Sequence, residues 1–432
     1  MNAKYKKLRA DFPLIATGTL LKVFLTFSLN KIIALGLGPG QFSEYGQYYV
    51  VLTFLYTAAS LGLANAHTVY VASNSSCNME IAGRLTTAEP KEFSYLIALL
   101  GGGVVGILVL GSLLLLEGRF DFLPKFSWWL LFLILLYCLI APLGVAMMAA
   151  SAAERRYGRQ QALSTGTTCI SMALMIFLFW SGEMRAEIAA AAYCIGFFLP
   201  VFMMGKVPLR ASLIKTKNFT AALRFYRPFV IPGVAGSLIG SVATMIVLSM
   251  VREKLSIENS GSWFGIWRLS EAYTGLVLAV SSALCLPRMA RAGADLGKEI
   301  IYSLLLMFSL YMPLLIMLLF FPERTIALFF SQDFSTNLPS LWPQVVGDLL
   351  KLFCAAHVLA LSAIAAPKWI LMAEVVFALS FVFGTSIMIT SKEMSAVLFA
   401  YAGSYFLLFA LLVFLLRRVA VNKQIILWKK IS

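Results

Sequence analysis

The strongest constraint on this 432-residue chain is a succession of apolar runs, each about as long as a membrane is thick. A helix that crosses the hydrocarbon of a bilayer needs roughly 20 apolar residues. Twelve segments meet that length, at roughly 12–36, 45–71, 94–116, 128–150, 162–181, 187–205, 225–251, 263–285, 300–321, 342–365, 369–390 and 395–416. Apolar residues make up 60% of the chain and charged residues 13%, the latter about half the usual share of a soluble domain. A single water-facing core cannot absorb that much apolar surface, because burial per residue levels off as domains grow. The sequence therefore predicts an all-α membrane protein of about twelve transmembrane helices.

Lys and Arg are distributed unevenly between alternate gaps. The gaps on one side, both termini included, hold 23 of the 35 cations, and those on the other side hold 7. The positive-inside rule places both termini in the cytoplasm. Residues 1–205 then form one six-helix lobe and 225–416 another, followed by a basic cytoplasmic tail at 417–432. The intervening 206–224 carries Lys206, Arg210, Lys215, Lys217 and Arg224 among Leu, Ile and Phe. That mixture reads as an amphipathic linker lying on the membrane surface. A faint repeat accompanies the two halves: Phe42 to Gly46 opens the second span much as Trp263 to Gly265 opens the eighth. Prolines interrupt spans at Pro142, Pro200, Pro232 and Pro313, which membrane helices tolerate where neighbours satisfy the freed backbone.

Several functional classes are excluded or disfavoured. The net charge of +15 comes from cations in short gaps between spans, not from a basic block suited to nucleic acid. Six cysteines without CxxC spacing read as small buried hydrophobes, and two histidines, His67 and His357, are too few for a His-based metal centre. The basic N-terminus leads into an apolar run too long for a cleaved signal peptide, so a retained first helix is expected. No DxD pair, P-loop or GxSxG element occurs, so neither a sugar-nucleotide transferase nor a nucleotide motor is indicated. No cofactor is expected. Trp128, Trp129, Trp342, Trp369 and Trp428 stand near span ends, as interfacial anchors do.

Ionisable groups inside spans are costly and mark functional sites by default. Lys22 lies about mid-membrane in the first span and needs either a cavity or a carboxylate from another helix. Lys31 is nine residues further on, on the opposite face, and can snorkel, as can Arg227. Arg268 and Glu271 in the eighth span are three residues apart, as are Asp348 and Lys351 in the tenth. Such pairs neighbour one another on a helix. Either each pair neutralises itself and holds the bundle, or the pairs wall a wet cavity with cations for an anionic substrate and carboxylates for ion coupling. Glu374, in the eleventh span, is a proton or cation site or the partner of a buried lysine.

Four stretches carry a family resemblance. The first span has Thr19, Lys22, Asn30 and Lys31 running into Gly38-Pro39. The eighth has Gly265-Ile-Trp267 before Ser270-Glu271-Ala272-Tyr273, then Leu286-Pro287 and Arg291. The tenth reads from Trp342-Pro through Gly347-Asp348 to Lys351, and the eleventh from Ile370 to Glu374-Val375. The chain resembles the Wzx polysaccharide flippases of the MOP superfamily, and among them the enterobacterial common antigen and O-antigen translocase type. It departs from that pattern in the eighth span, where Trp267 and Glu271 stand closer together.

The resemblance implies two lobes around a central cavity that opens alternately to each side. It implies an undecaprenyl-diphosphate-linked oligosaccharide as substrate, passed from the cytoplasmic to the periplasmic leaflet of a bacterial inner membrane with ion-gradient coupling. Lys22, Lys31, Arg268 and Lys351 would then form a cationic cavity for the diphosphate, with Glu271, Asp348 and Glu374 as coupling or structural carboxylates and no metal site. Membrane lipids, and the polymerase and chain-length regulator of the same pathway, are the partners so implied. Two other readings remain open at this point. One is a multidrug or cation exporter of the same superfamily, whose cavity should favour carboxylates. The other is an integral-membrane O-antigen polymerase, which generally carries a large outside loop that this chain lacks.

Overall fold

The structure, a computed structural model, describes residues 3–59, 100–104, 106–108, 111, 126–153, 156–204, 235–236, 238–289, 296–335, 338–363 and 367–422. The described residues are helical almost throughout. They comprise α1 (Ala3–Ala59), α2 (Trp128–Ala153), α3 (Tyr157–Ser181), α4 (Ala186–Met204), α5 (Ile257–Met289), α6 (Leu296–Phe320), the short α7 (Pro322–Phe329), α8 (Trp342–Ala363), α9 (Pro367–Met388) and α10 (Met394–Asn422). Residues 238–254 are helical as well. Among the described residues, eight helices are long and apolar enough to cross a membrane. The reason is the solvent: lipid offers the backbone no hydrogen bonds, so each crossing segment must satisfy its own N–H and C=O groups.

Helices lie over the described parts of the apolar runs at 128–150, 162–181, 187–205, 263–285, 300–321, 342–365, 369–390 and 395–416. The count of twelve spans is not reproduced among the described residues. The 206–224 linker, Arg227, Pro232, His67, Cys77, Arg291, Trp428 and most of 60–125 lie outside them. One expectation is corrected. The first two spans, expected to be joined by an outside loop at 37–44, form one helical run broken at a single residue, Gly38 (φ 63°, ψ 175°). A glycine accepts that left-handed φ without penalty, and Pro39 after it has the fixed φ and missing N–H suited to a helix start. Gly38→Ala is expected to destabilise the protein by about 1–2 kcal/mol, measured as thermal unfolding in detergent. Open space surrounds that position, so the loss would come from the backbone alone.

The chain divides into two compact units. The first holds residues 1–36 and 47–241, and the second holds 37–46 and 242–432. In the first, α2 packs on α3 and α4. Tyr56, Tyr137 and Phe197 stack in a tilted and edge-on aromatic cluster. Glu187 at the start of α4 accepts hydrogen bonds from the backbone N–H and hydroxyl of Ser127, just ahead of α2. Helix α3 ends at Gly182 (φ 71°), whose N–H bonds back to Phe179 O.

In the second unit, α10 packs along α8 and α9, and α5 packs on α6 and α8. Buried Cys285, Ile300, Cys354, Leu361 and Leu412 form a core among them. The excursion at 37–46 is set firmly into this unit. Phe42 is fully buried, with its ring 5.3–5.8 Å from those of Phe264, Phe330 and Phe334. Ser43 Oγ donates to Ser260 Oγ at 2.8 Å, and Ser260 Oγ donates on to Leu248 O at 3.2 Å. Two buried hydroxyls are thereby satisfied in one chain. Large apolar side chains such as Trp128, Trp180 and Phe406 are exposed on the helices, as lipid-facing surfaces require.

Candidate functional site

The polar centre of the second unit is built around Asp348, which is fully buried on α8. Four side chains donate to its carboxylate. Ser270 Oγ of α5 reaches Oδ1 at 2.5 Å, Tyr401 OH of α10 reaches Oδ1 at 2.9 Å, Gln344 Nε2 of α8 itself reaches Oδ1 at 3.1 Å, and Tyr311 OH of α6 reaches Oδ2 at 2.8 Å. One carboxylate thus ties four helices together. Charge-assisted hydrogen bonds of this kind are the strong ones, and a buried carboxylate needs several. Gly347 makes room for the arrangement: a Cβ there would lie 2.3 Å from the Tyr401 ring.

One turn along α8, Lys351 Nζ lies 2.5 Å from Glu271 Oε1 on α5. The lysine is the more buried partner, with 12% of its side chain exposed against 36% for the glutamate. Ser270–Asp348 and Glu271–Lys351 therefore make two successive rungs between α5 and α8. Glu374 of α9 is half-buried and within Coulombic reach of both Lys351 and Glu271. Tyr405 of α10 is within such reach of Glu271, Glu374 and Asp348, and its ring packs 4.4 Å from that of Phe377 and 4.9 Å from that of Tyr401.

The structure thus gathers Glu271, Asp348, Lys351 and Glu374 into one cluster. The connections differ from the same-helix pairs that the spacing suggests: the glutamate of one helix meets the lysine of the other, and Asp348 is held by neutral donors. Arg268, one turn before Glu271, is buried. Lys22 and Lys31 belong to the first unit. Lys22 is exposed and Lys31 half-buried, and Thr26 Oγ1 donates to Lys22 O at 2.8 Å. Sequence reasoning missed Ser270, Tyr311, Gln344 and Tyr401. Gln344 was within its reach, four residues before Asp348 on one helix face. Tyr311 and Tyr401 carry no such signal, because their approach depends on how α6 and α10 pack. His357 lies away from this chemistry: its Nδ1 donates to Phe353 O at 2.8 Å and its ring stands edge-on to Phe409.

Eight long apolar helices among the described residues, with large apolar side chains exposed on them and ionisable groups inside the spans, define a multi-pass membrane protein. Its fold is that of the MOP-superfamily transporters. The solved structure of an inward-facing multidrug resistance MATE family transporter of that superfamily superposes with a TM-score of 0.71, at 14% identity, over 94% of this chain and 99% of that one. The lipid II flippase MurJ, in an inward closed conformation, superposes with a TM-score of 0.65, at 16% identity, over 93% of this chain and 87% of that one. At the level of sequence, the chain is 24% identical to the lipid III flippase of Escherichia coli (strain K12) over 423 residues, which is 93% of this chain and 97% of that one. The lipid III flippase of Shigella flexneri matches to the same extent. No family profile matches the sequence.

Proposed function

We propose that the protein is a flippase that moves an undecaprenyl-diphosphate-linked oligosaccharide, of the enterobacterial common antigen or O-antigen repeat-unit type, from the cytoplasmic to the periplasmic leaflet of a bacterial inner membrane. The observation that carries this reading is the end-to-end similarity to a lipid III flippase. The site chemistry agrees with it. A diphosphate brings two or more negative charges into a region where charge is expensive, and ammonium and guanidinium groups meet phosphate by charge-assisted hydrogen bonds. Lys22, Lys31, Arg268 and Lys351 are such groups inside spans. The lipid tail stays in the bilayer, so only the head group needs the polar route. Alternating access with ion-gradient coupling through Glu271, Asp348 and Glu374, and cytoplasmic termini, complete the proposal.

The test is deletion of the gene, followed by an assay of which leaflet holds the lipid-linked oligosaccharide. Unpolymerised repeat units are expected to accumulate on the cytoplasmic leaflet. Wild type should restore export, and Lys22→Ala and Lys351→Ala should not. Each lost ammonium–phosphate contact removes about 1.5–3 kcal/mol of stabilisation, which corresponds to a rate loss of roughly ten- to a hundredfold. Normal translocation with only the polymer missing would make the protein a polymerase instead. An unchanged glycan with altered sensitivity to cationic drugs would make it a multidrug exporter, in keeping with the multidrug transporters that share its fold.

A further inference from the structure

Among the described residues, the second unit places the Lys351 ammonium among carboxylates whose charges are met in different ways. Asp348 has four neutral donors and needs no cation for its hydrogen bonds. Glu271 and Glu374 have no comparable set. Among the described residues, the hydrogen bond to the Glu271 carboxylate comes from Lys351, and Glu374 has no hydrogen-bond donor. Lys351, Glu271 and Glu374 are nevertheless within Coulombic reach of one another. Like charges within reach of one another inside a membrane bundle repel, and a positive charge between them relieves that repulsion.

A free alkali-metal ion could supply one positive charge, and its preferred ligands are oxygens of this kind. Here the charge comes from within the chain. The Lys351 ammonium is already desolvated, with 12% of its side chain exposed. It is held in register because its own helix is fixed one turn earlier by the Asp348 hydrogen bonds to α5, α6 and α10. We propose that Lys351 is a built-in counter-cation: its ammonium takes the place beside Glu271 that a free monovalent cation would otherwise occupy, so the wild-type unit binds no sodium there. Lys351 is thereby a specificity-determining residue for ion binding, and replacing it with a neutral residue converts the site into one for sodium. Among the described residues, Asp348, Tyr401, Tyr405 and Cys354 are the other titratable groups within reach of this place, and the buried Arg268 stands one turn before Glu271 on α5.

Ion binding by the folded protein is separable from what the protein transports, so the test does not require a transport assay. The full chain, purified in detergent, is melted in sodium chloride and in choline chloride at equal ionic strength. Wild type is expected to melt at the same temperature in both. Lys351→Met is expected to melt roughly 2–4 °C higher in sodium, and adding Glu271→Gln should abolish that difference. A sodium-specific rise in wild type would overturn the proposal without reference to any variant. So would a Lys351→Met protein indifferent to sodium, or a double variant that keeps the rise. Should Lys351→Met fail to fold, Lys351→Gln, which keeps a polar head, takes its place with the same expected and overturning results.

Discussion

Asp348→Ala should cost the protein about 3–5 kcal/mol of stability, the usual loss when one member of a buried, charged hydrogen-bond network is removed. The carboxylate is the common acceptor for Ser270, Tyr311, Gln344 and Tyr401. Truncation strands all four donors in a region closed to water, and each buried unsatisfied group costs about 1–3 kcal/mol. The sum exceeds the expected loss because groups that share one acceptor do not contribute additively. Asp348→Asn should be milder, at about 1–2 kcal/mol. Its amide oxygen keeps the three donors at the Oδ1 position, while its amino group faces only Tyr311. Thermal unfolding in detergent reads both. Equal losses for Ala and Asn would mean that the donors do not depend on this acceptor, and would remove Asp348 from the centre of the bundle.

Gly261→Ala is the second large effect expected. A Cβ at that position of α5 would lie 1.7 Å from Pro39 O and 2.6 Å from Pro39 C. Both obstacles are backbone atoms, and no rotamer relieves the overlap, so α5 and the 37–46 segment must separate. Overpacking of this kind costs about 3 kcal/mol or more. The separation also pulls Phe42 from its aromatic neighbours and Ser43 from Ser260. Gly275→Ala is the control. It lies on the same helix, with nothing within 4 Å of its added Cβ, and it should be neutral or stabilising by up to about 1 kcal/mol from helix propensity. Identical behaviour of the two variants would show that the close approach of Pro39 contributes nothing.

The helices were legible from the residues alone wherever lipid leaves the backbone a single option. A run such as 128–150 or 395–416 is too apolar for water and too long for a strand, and in a bilayer it must close its hydrogen bonds internally. The same reasoning singled out Glu271, Asp348, Lys351 and Glu374, because a charge inside such a run is too costly to be incidental. The gap between the spans at 12–36 and 45–71 was visible, but its size was not. A loop was expected where one glycine with positive φ suffices, since sequence shows that a helix can bend and not how sharply.

Partnership among the charges belongs to tertiary structure. Spacing along one helix offered Arg268 with Glu271 and Asp348 with Lys351, yet α5 and α8 face each other so that Glu271 meets Lys351 and Ser270 meets Asp348. Which side chains touch depends on the rotation and height of each helix against its neighbours, and these follow from packing over whole faces. Tyr311 and Tyr401 come from helices 37 and 53 residues away from Asp348 in sequence and carry no local mark of their role. For the same reason, 37–46 joins the second unit although the residues on both sides of it belong to the first. Phe42 and Ser43 find their partners near residues 248–264 and 330–334, a long-range choice that no local pattern encodes.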